Sequence, residues 1–442
     1  MFWSLEFASN FLRMKIKLNI LFLIVIGTVF PAFSQLNLKI YALQNINIID
    51  VKNEVVLSNQ TIIIKGESIF KIFPTSNQKL ADSIYVFKCD GKFVLPGLID
   101  THCHLSGDAL DANNTENTKK VLENMLYSGI TTIRDMAGDA RFIGFLAREA
   151  KIGMINSPNI FYSAILAGPK FFSVEKAKAT SLGGTAGKMP YMQEITDTTN
   201  IQLAIARAKG SGASAVKLYV YLSKELTKKI IFEALKQKML VWSHAFVDPA
   251  KPYDVVEAGA QVISHAETLW TTNLDTIPRA WKKADPTPAS WDEKVKEMKL
   301  EKIFALMKSK GTILDATLSV FLEMVKKEPY KKWRFELACA ITRAAKKSGV
   351  KICTGTDTDQ KSFVQEEIKL LINQCGFSTF EALKSATLTS AEACGIVKSN
   401  GSIEEGKIAD LAVYKLNPIA DINNLQSVDF VIKTGKIYSH SK

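Results

Sequence analysis

The stretch that decides the reading is residues 93–105, FVLPGLIDTHCHL. Aliphatic and β-branched residues lead into an H-x-H, and side chains alternate along a strand. His102 and His104 therefore leave one face and Cys103 the other. An H-x-H alone is a weak sign, but this one is matched further along. Lys217 lies in AVKLYV, His244 in LVWSHA, His265 in QVISHA and Asp357 in TGTDTD. The chain has five histidines in 442 residues, and four of them fall at the ends of strand-like segments. Imidazole is the commonest protein ligand for zinc-like metals, and carboxylate oxygens complete such sites.

Working outward, eight segments read as strands: VLPGLIDTH, GITTIRDM, NIFYSAIL, AVKLYV, LVWSHA, QVISHA, GTILDATL and VKICTGTD. Helical patterns such as LSKELTKKIIFEALKQK and EKIFALMKSKG separate them, often closed by a glycine that suits the left-handed position past a helix end (Gly129, Gly153, Gly210, Gly259, Gly311, Gly349). Eight strand–helix units predict an α/β fold, a (β/α)8 TIM barrel over residues 94–400. Residues 36–93 and 401–442 read instead as short strands rich in β-branched and aromatic residues with Gly, Asn and Asp turns. These two ends are expected to form one small β-sandwich. The connections at 167–197 and 268–295 are long, and as loops following barrel strands they belong to the active-site face.

Composition is that of a globular protein, 47% hydrophobic and 23% charged. The net charge of +12 is spread along the chain without a basic face interleaved with aromatics, so a nucleic-acid partner is not expected. Residues 14–34 carry Lys15 and Lys17, the apolar run LNILFLIVIGTVF and a small-residue site ending at Ser34. That pattern predicts a cleavable signal peptide, hence a periplasmic or secreted protein with no membrane attachment after cleavage. An uncleaved anchor is the alternative, and the run is short for a span of about 20 residues. The six cysteines show neither C-x-x-C nor a disulfide framework. Cys103 is expected to point outward from its strand and Cys353 inward, both as small core residues. Arg134 and Asp135 read as an internal ion pair. A homo-oligomer is compatible with the sequence, which does not fix the oligomeric state.

A hydrolytic metal site must hold its ion, leave a position open for water, and bring that water's pKa to about 7. Two ions about 3.5–4 Å apart can share the hydroxide and polarise the scissile carbonyl. The chain resembles the amidohydrolase superfamily, specifically its imidazolonepropionase-like and Xaa-Pro-dipeptidase-like branch. The resemblance is carried by VLPGLIDTHCHL, SGITTIRDM, AVKLYV, VWSHA, VISHAET, TGTDTD, ATLTSAEACGI and GSIEEGKIADLAVYKLNP. It runs from about residue 40 to 440.

The resemblance implies two divalent metal ions. His102, His104 and Asp357 would hold the more buried one, and His244 and His265 the second. Lys217 would be carboxylated by CO2, its carbamate bridging both ions. A lysine binding substrate phosphate or carboxylate directly is the other reading. Asp357 would also carry a proton from the bridging water to the leaving group, or act as a ligand only. Tyr219 shares the parity of Lys217 and is either a ligand for a substrate carbonyl or carboxylate, or an aromatic of the rim. Zinc follows from the ligand types; manganese, cobalt or iron suit the same set. The implied activity is hydrolysis of an amide-type C–N bond in a small-molecule substrate, first of all a dipeptide or N-acyl amino acid. Ring opening of a cyclic amide, imidazolone or lactone is the alternative. A metal-free scaffold of the same fold would have lost ligands, and all six positions are filled here.

Overall fold

The computed structural model describes residues 40–76, 80–106, 115–173, 181, 183–274, 288–358 and 363–439. The expected signal peptide and parts of both long connections lie outside them.

Eight strands form the barrel in chain order: β6 (Leu98–Cys103), β7 (Ile130–Asp135), β8 (Asn159–Ala167), β11 (Ala215–Leu218), β12 (Leu240–His244), β13 (Val262–Ser264), β14 (Ile313–Asp315) and β15 (Ile352–Cys353). All successive pairs are parallel. The ring nearly closes between its last and first strands, where Thr101 N donates to Thr354 O (2.9 Å) and Asp357 N to His102 O (2.7 Å). A short hairpin, β9 (Lys188–Met189) and β10 (Met192–Glu194), fills part of the long third connection, with β10 running parallel beside β8.

Period-2 alternation sorts the side chains. Val216, Leu218, Val241, Ile263 and Leu314 face outward into the large core shared with the helices. Ala215, Trp242, Val262, Ile313 and Cys353 form a separate inner core with Met136 and Ala393. Cys103 joins the outer core and Cys353 the inner one, as their parity predicts. Each fully buried aliphatic side chain contributes about 1.5–3 kcal/mol. The helices begin and end for local reasons. Ser223 Oγ accepts from Leu226 N to cap Lys224–Lys236, and Gly311 takes the left-handed conformation (φ 71°) that ends Glu301–Lys310. Gly210 does not play that part; it is the last helical residue, and Gly212 turns left-handed instead (φ 83°).

Both chain ends contribute to a second sheet, made of β1 (Ile40–Asp50), β2 (Val55–Lys65), β3 (Ser68–Pro74), β4 (Tyr85–Lys88), β5 (Phe93–Pro96), β16 (Leu411–Tyr414), β17 (Val428–Lys433) and β18 (Lys436–Tyr438). As expected, both ends build one small β unit; it is a continuous mixed sheet in the order β18-β17-β16-β5-β1-β2-β3, with β4 also on β1. It curls on itself. Ile69 N donates to Lys407 O and Gly406 N to Ile69 O, both at 2.8 Å, tying β3 to the segment before β16.

The expected single strand VLPGLIDTH is in fact two. β5 belongs to the terminal sheet and β6 to the barrel, with Gly97 between them. A side chain cannot fit there: a Cβ on Gly97 would lie 2.1 Å from Thr131 Oγ1. The strand that carries the H-x-H is thus joined directly to the terminal sheet.

Candidate metal centre

Parallel strands deliver their C-terminal ends to one mouth, and the predicted ligands meet there. His102 ends β6 on the inward parity and His104 follows it. Lys217 is inward on β11, and His244 ends β12. His265 and Asp357 come just after β13 and β15, both with left-handed backbones (φ 75° and 51°). Left-handed non-glycine residues of this kind cluster where surrounding structure holds a functional side chain in place.

Ligand atoms of His102, His265 and Asp357 all lie within 4.8 Å of one another. Asp357 Oδ1 is 2.9 Å from His104 Nε2 and 3.4 Å from His102 Nε2, and Oδ2 is 3.6 Å from His265 Nδ1. The His244 ring stands 4.7 Å from that of His265 and 4.5 Å from Tyr219, whose other neighbour is Phe171 at 4.8 Å. Lys217 is fully buried, and its Nζ donates to Ser264 Oγ at 3.0 Å. Its Nζ also sits 5.9 Å from the Tyr219 ring centre. The structure therefore gathers His102, His104, His265 and Asp357 tightly and sets His244, Lys217 and Tyr219 along the adjoining side.

Three supporting residues went unread in the sequence. Asp315, at the end of β14 and fully buried, accepts from His102 Nδ1 (2.6 Å) and from Ser264 Oγ (2.9 Å). Ser264 thereby links Lys217 to Asp315. Asp100 accepts from His102 N and Thr356 N (3.0 and 3.1 Å) and from Thr356 Oγ1 (2.8 Å), which fixes the backbone of β6 against the segment bearing Asp357. A carboxylate closing an otherwise apolar strand, as in GTILD, was the available signal for Asp315.

The expected Arg134–Asp135 pair does not form. Neighbours on a strand face opposite sides. Arg134 points into the barrel, stacks on Trp242 (4.3 Å), donates to Thr101 O and Ala393 O, and lies 3.7 Å from Asp315. Asp135 instead accepts from Ser106 N and Oγ (3.0 and 2.8 Å).

Burial sets the electrostatics. It pushes His102 below the ordinary imidazole range, His244 well below it and His265 down to about 3, so these rings are neutral, the form that binds metal. It lowers Lys217 to about 7, leaving much of its amine uncharged at neutral pH. It raises the Tyr219 phenol well above its usual range, which keeps the hydroxyl protonated. For Asp357 burial pulls upward, and what holds the carboxyl well below its usual range is positive charge at the facing imidazoles, His102 foremost, the place a bound cation would take.

The donor set itself calls for a cation. His102 Nδ1 faces a carboxylate, and His104 Nδ1 faces the Ala137 carbonyl at 3.3 Å, so each Nδ1 carries the proton. Each Nε2 then presents a lone pair to ionised Asp357 at 3.4 and 2.9 Å. Acceptors so close need a positive charge between them, and burial disfavours a proton on His102. A divalent metal fits this set of imidazoles and carboxylate.

Residues 93–438 match the amidohydrolase family. Over 396 residues the chain is 24% identical to ochratoxinase of Aspergillus niger, spanning 78% of this chain and 75% of that one. A shorter match, 32% identical over 83 residues (18% of this chain, 21% of the other), is to imidazolonepropionase of Pseudomonas fluorescens. Among solved structures, a Xaa-Pro dipeptidase with bound methionine in its active site superposes with a TM-score of 0.73 at 22% identity, covering 90% of this chain and 100% of that one. That structural likeness speaks for the fold; the family match spans most of the sequence and includes every predicted ligand. The chain belongs to the amidohydrolase family.

Proposed function

We propose that the protein is an exported, metal-dependent hydrolase that cleaves the amide-type C–N bond of small dipeptide-like or N-acyl amino acid substrates. The observation that carries the metal dependence is the convergence of His102, His265 and Asp357 ligand atoms within 4.8 Å, with the lone pair of His102 turned toward the carboxylate. The peptide-like substrate is supported by the likeness to a Xaa-Pro dipeptidase. Export rests on the pattern of residues 14–34.

In this reading His102, His104, His244, His265, Asp357 and the carbamate of Lys217 would hold two divalent ions, zinc by ligand type. When bound they supply Lewis acidity and a water activated at neutral pH. The rest falls to the chain. Asp357 is ionised and receives the proton of the attacking water at a carboxylate oxygen, then returns it to the departing nitrogen. Tyr219, protonated and packed on His244, donates its hydroxyl hydrogen to the substrate carbonyl oxygen as charge grows there. Lys217 supports the carbamate because its amine is buried, largely uncharged near neutral pH and hydrogen-bonded only to Ser264 among the described residues.

Protein starting at Gln35, supplied with zinc and bicarbonate, should hydrolyse members of a dipeptide and N-acyl amino acid library above an Asp357→Asn blank. The imidazolonepropionase match favours a second reading, ring opening of a cyclic amide. Metal-replete protein that ignores every linear amide but opens cyclic amides or lactones would establish that alternative.

A further inference from the structure

Glu367 is a buried carboxyl group, pushed up to about 8 by burial, that the metal site does not use. It stands on helix Val364–Cys375, fully buried, and its partners lie 48 and 49 positions away. Oε1 accepts from Leu318 N at 2.8 Å; Oε2 accepts from Ser319 N and Ser319 Oγ, both at 2.7 Å. Those amides open helix Leu318–Lys327, where the first N–H groups have no partner within the helix. A threonine occupies the cap position, and threonine is a good N-cap. Yet Thr317 makes no side-chain cap bond. Its backbone is left-handed (φ 53°, ψ 46°), and its hydroxyl lies 3.1 Å from His265 Nδ1 instead.

The turn Asp315–Thr317 is attached to the site at several points. Asp315 holds His102, His265 N donates to Asp315 O (3.0 Å), and Ala266 N donates to Ala316 O (3.3 Å). Nδ1 of His265 faces Thr317 Oγ1 at 3.1 Å and Asp357 Oδ2 at 3.6 Å, and with its proton accepted by the nearer threonine oxygen, His265 Nε2 keeps its lone pair. We propose that Glu367 is a positioning residue of the metal centre: by capping the helix in place of Thr317, it releases the Thr317 hydroxyl to orient His265. The inference rests on the reading of His265 as a metal ligand.

The test measures Co(II) affinity by competition with a chromophoric chelator, alongside urea unfolding of the metal-free protein. Wild type should bind Co(II), and His265→Ala should bind it more weakly; absence of either result removes the ligand reading itself. Glu367→Ala and Thr317→Val should each weaken binding about 10- to 100-fold, as loss of a group orienting a ligand does. The double variant should be little worse than either single, because the two residues act through one connection. Co(II) affinity unchanged in Glu367→Ala, with only the urea midpoint lowered, would overturn the proposal, as would additive losses in the double variant. If Glu367→Ala does not fold, Glu367→Gln replaces it: the amide keeps one acceptor and presents a donor to the other amide. Weakened binding that is non-additive with Thr317→Val supports the proposal, and wild-type affinity overturns it.

Discussion

His102 Nδ1 and Asp315 Oδ2 are 2.6 Å apart although 213 positions separate them in the chain. The carboxylate fixes the tautomer of the ring and raises the basicity of its other nitrogen. Asp315→Asn should therefore lower metal affinity about 10- to 100-fold while leaving the six proposed ligands in place. Metal content after dialysis against a weak chelator, measured by elemental analysis, checks this, and retention equal to wild type would dismiss the support role.

Lys217 gives a dependence on pH. Its amine is lowered by burial to about 7 from an ordinary 10.5. Only the uncharged amine attacks CO2, so reconstitution of metal-free protein with metal at fixed dissolved CO2 should quicken as pH rises through about 7 and then level off. An ordinary lysine would go on accelerating toward 10.5, and such a profile would contradict the burial effect. Lys217→Ala should lower the bound metal toward one ion or none.

Asp357→Asn removes the proton acceptor but keeps an oxygen near His102 and His104. Turnover should fall by between about 10²- and 10⁴-fold, the usual worth of a positioned acid–base group. A variant retaining near-normal kcat with a full metal complement would leave Asp357 as a ligand only.

Gly355 has no room for a methyl group. A Cβ there would stand 2.3 Å from Asp315 Oδ1 and 2.6 Å from His102 Cβ. Gly355→Ala should destabilise the fold by about 1–3 kcal/mol, as overpacking does, and should also cost metal, since it separates the histidine from its carboxylate. Thermal melting and metal analysis together test it; a variant with unchanged metal affinity would show that the two groups can separate without consequence.

The candidate ligands were legible because their chemistry is rare. Four histidines at strand ends, with the parity of His102 and His104 on one face, required only period-2 reasoning. The residues that hold them were harder to see. Asp315, Ser264 and Glu367 are common residue types whose partners lie on other strands and helices, and nothing in a single sequence pairs them. Arg134 and Asp135 misled for the opposite reason: adjacency in sequence suggested contact, while the pleat sent them to opposite faces. The eight barrel strands were legible from their alternation with helices, but the split at Gly97 was not, because both halves read as one apolar run. An isolated glycine inside such a run does mark close backbone approach. That the two chain ends form one β unit was legible too, but the strand order within it was not, because β5 pairs with β16 and β3 is tied to residues 406 and 407 across long sequence distances.

That pairing has a consequence for the order of folding. Val94 of β5 pairs with Val413 of β16, so one edge of β5 stays open until Leu411–Tyr414 reaches it. Across Gly97, the strand bearing the first two histidines waits with it. A protein built this way cannot finish its catalytic mouth early, since long-range pairings of this kind form late and slowly. A chain truncated before residue 411 would leave β5 without its β16 neighbour.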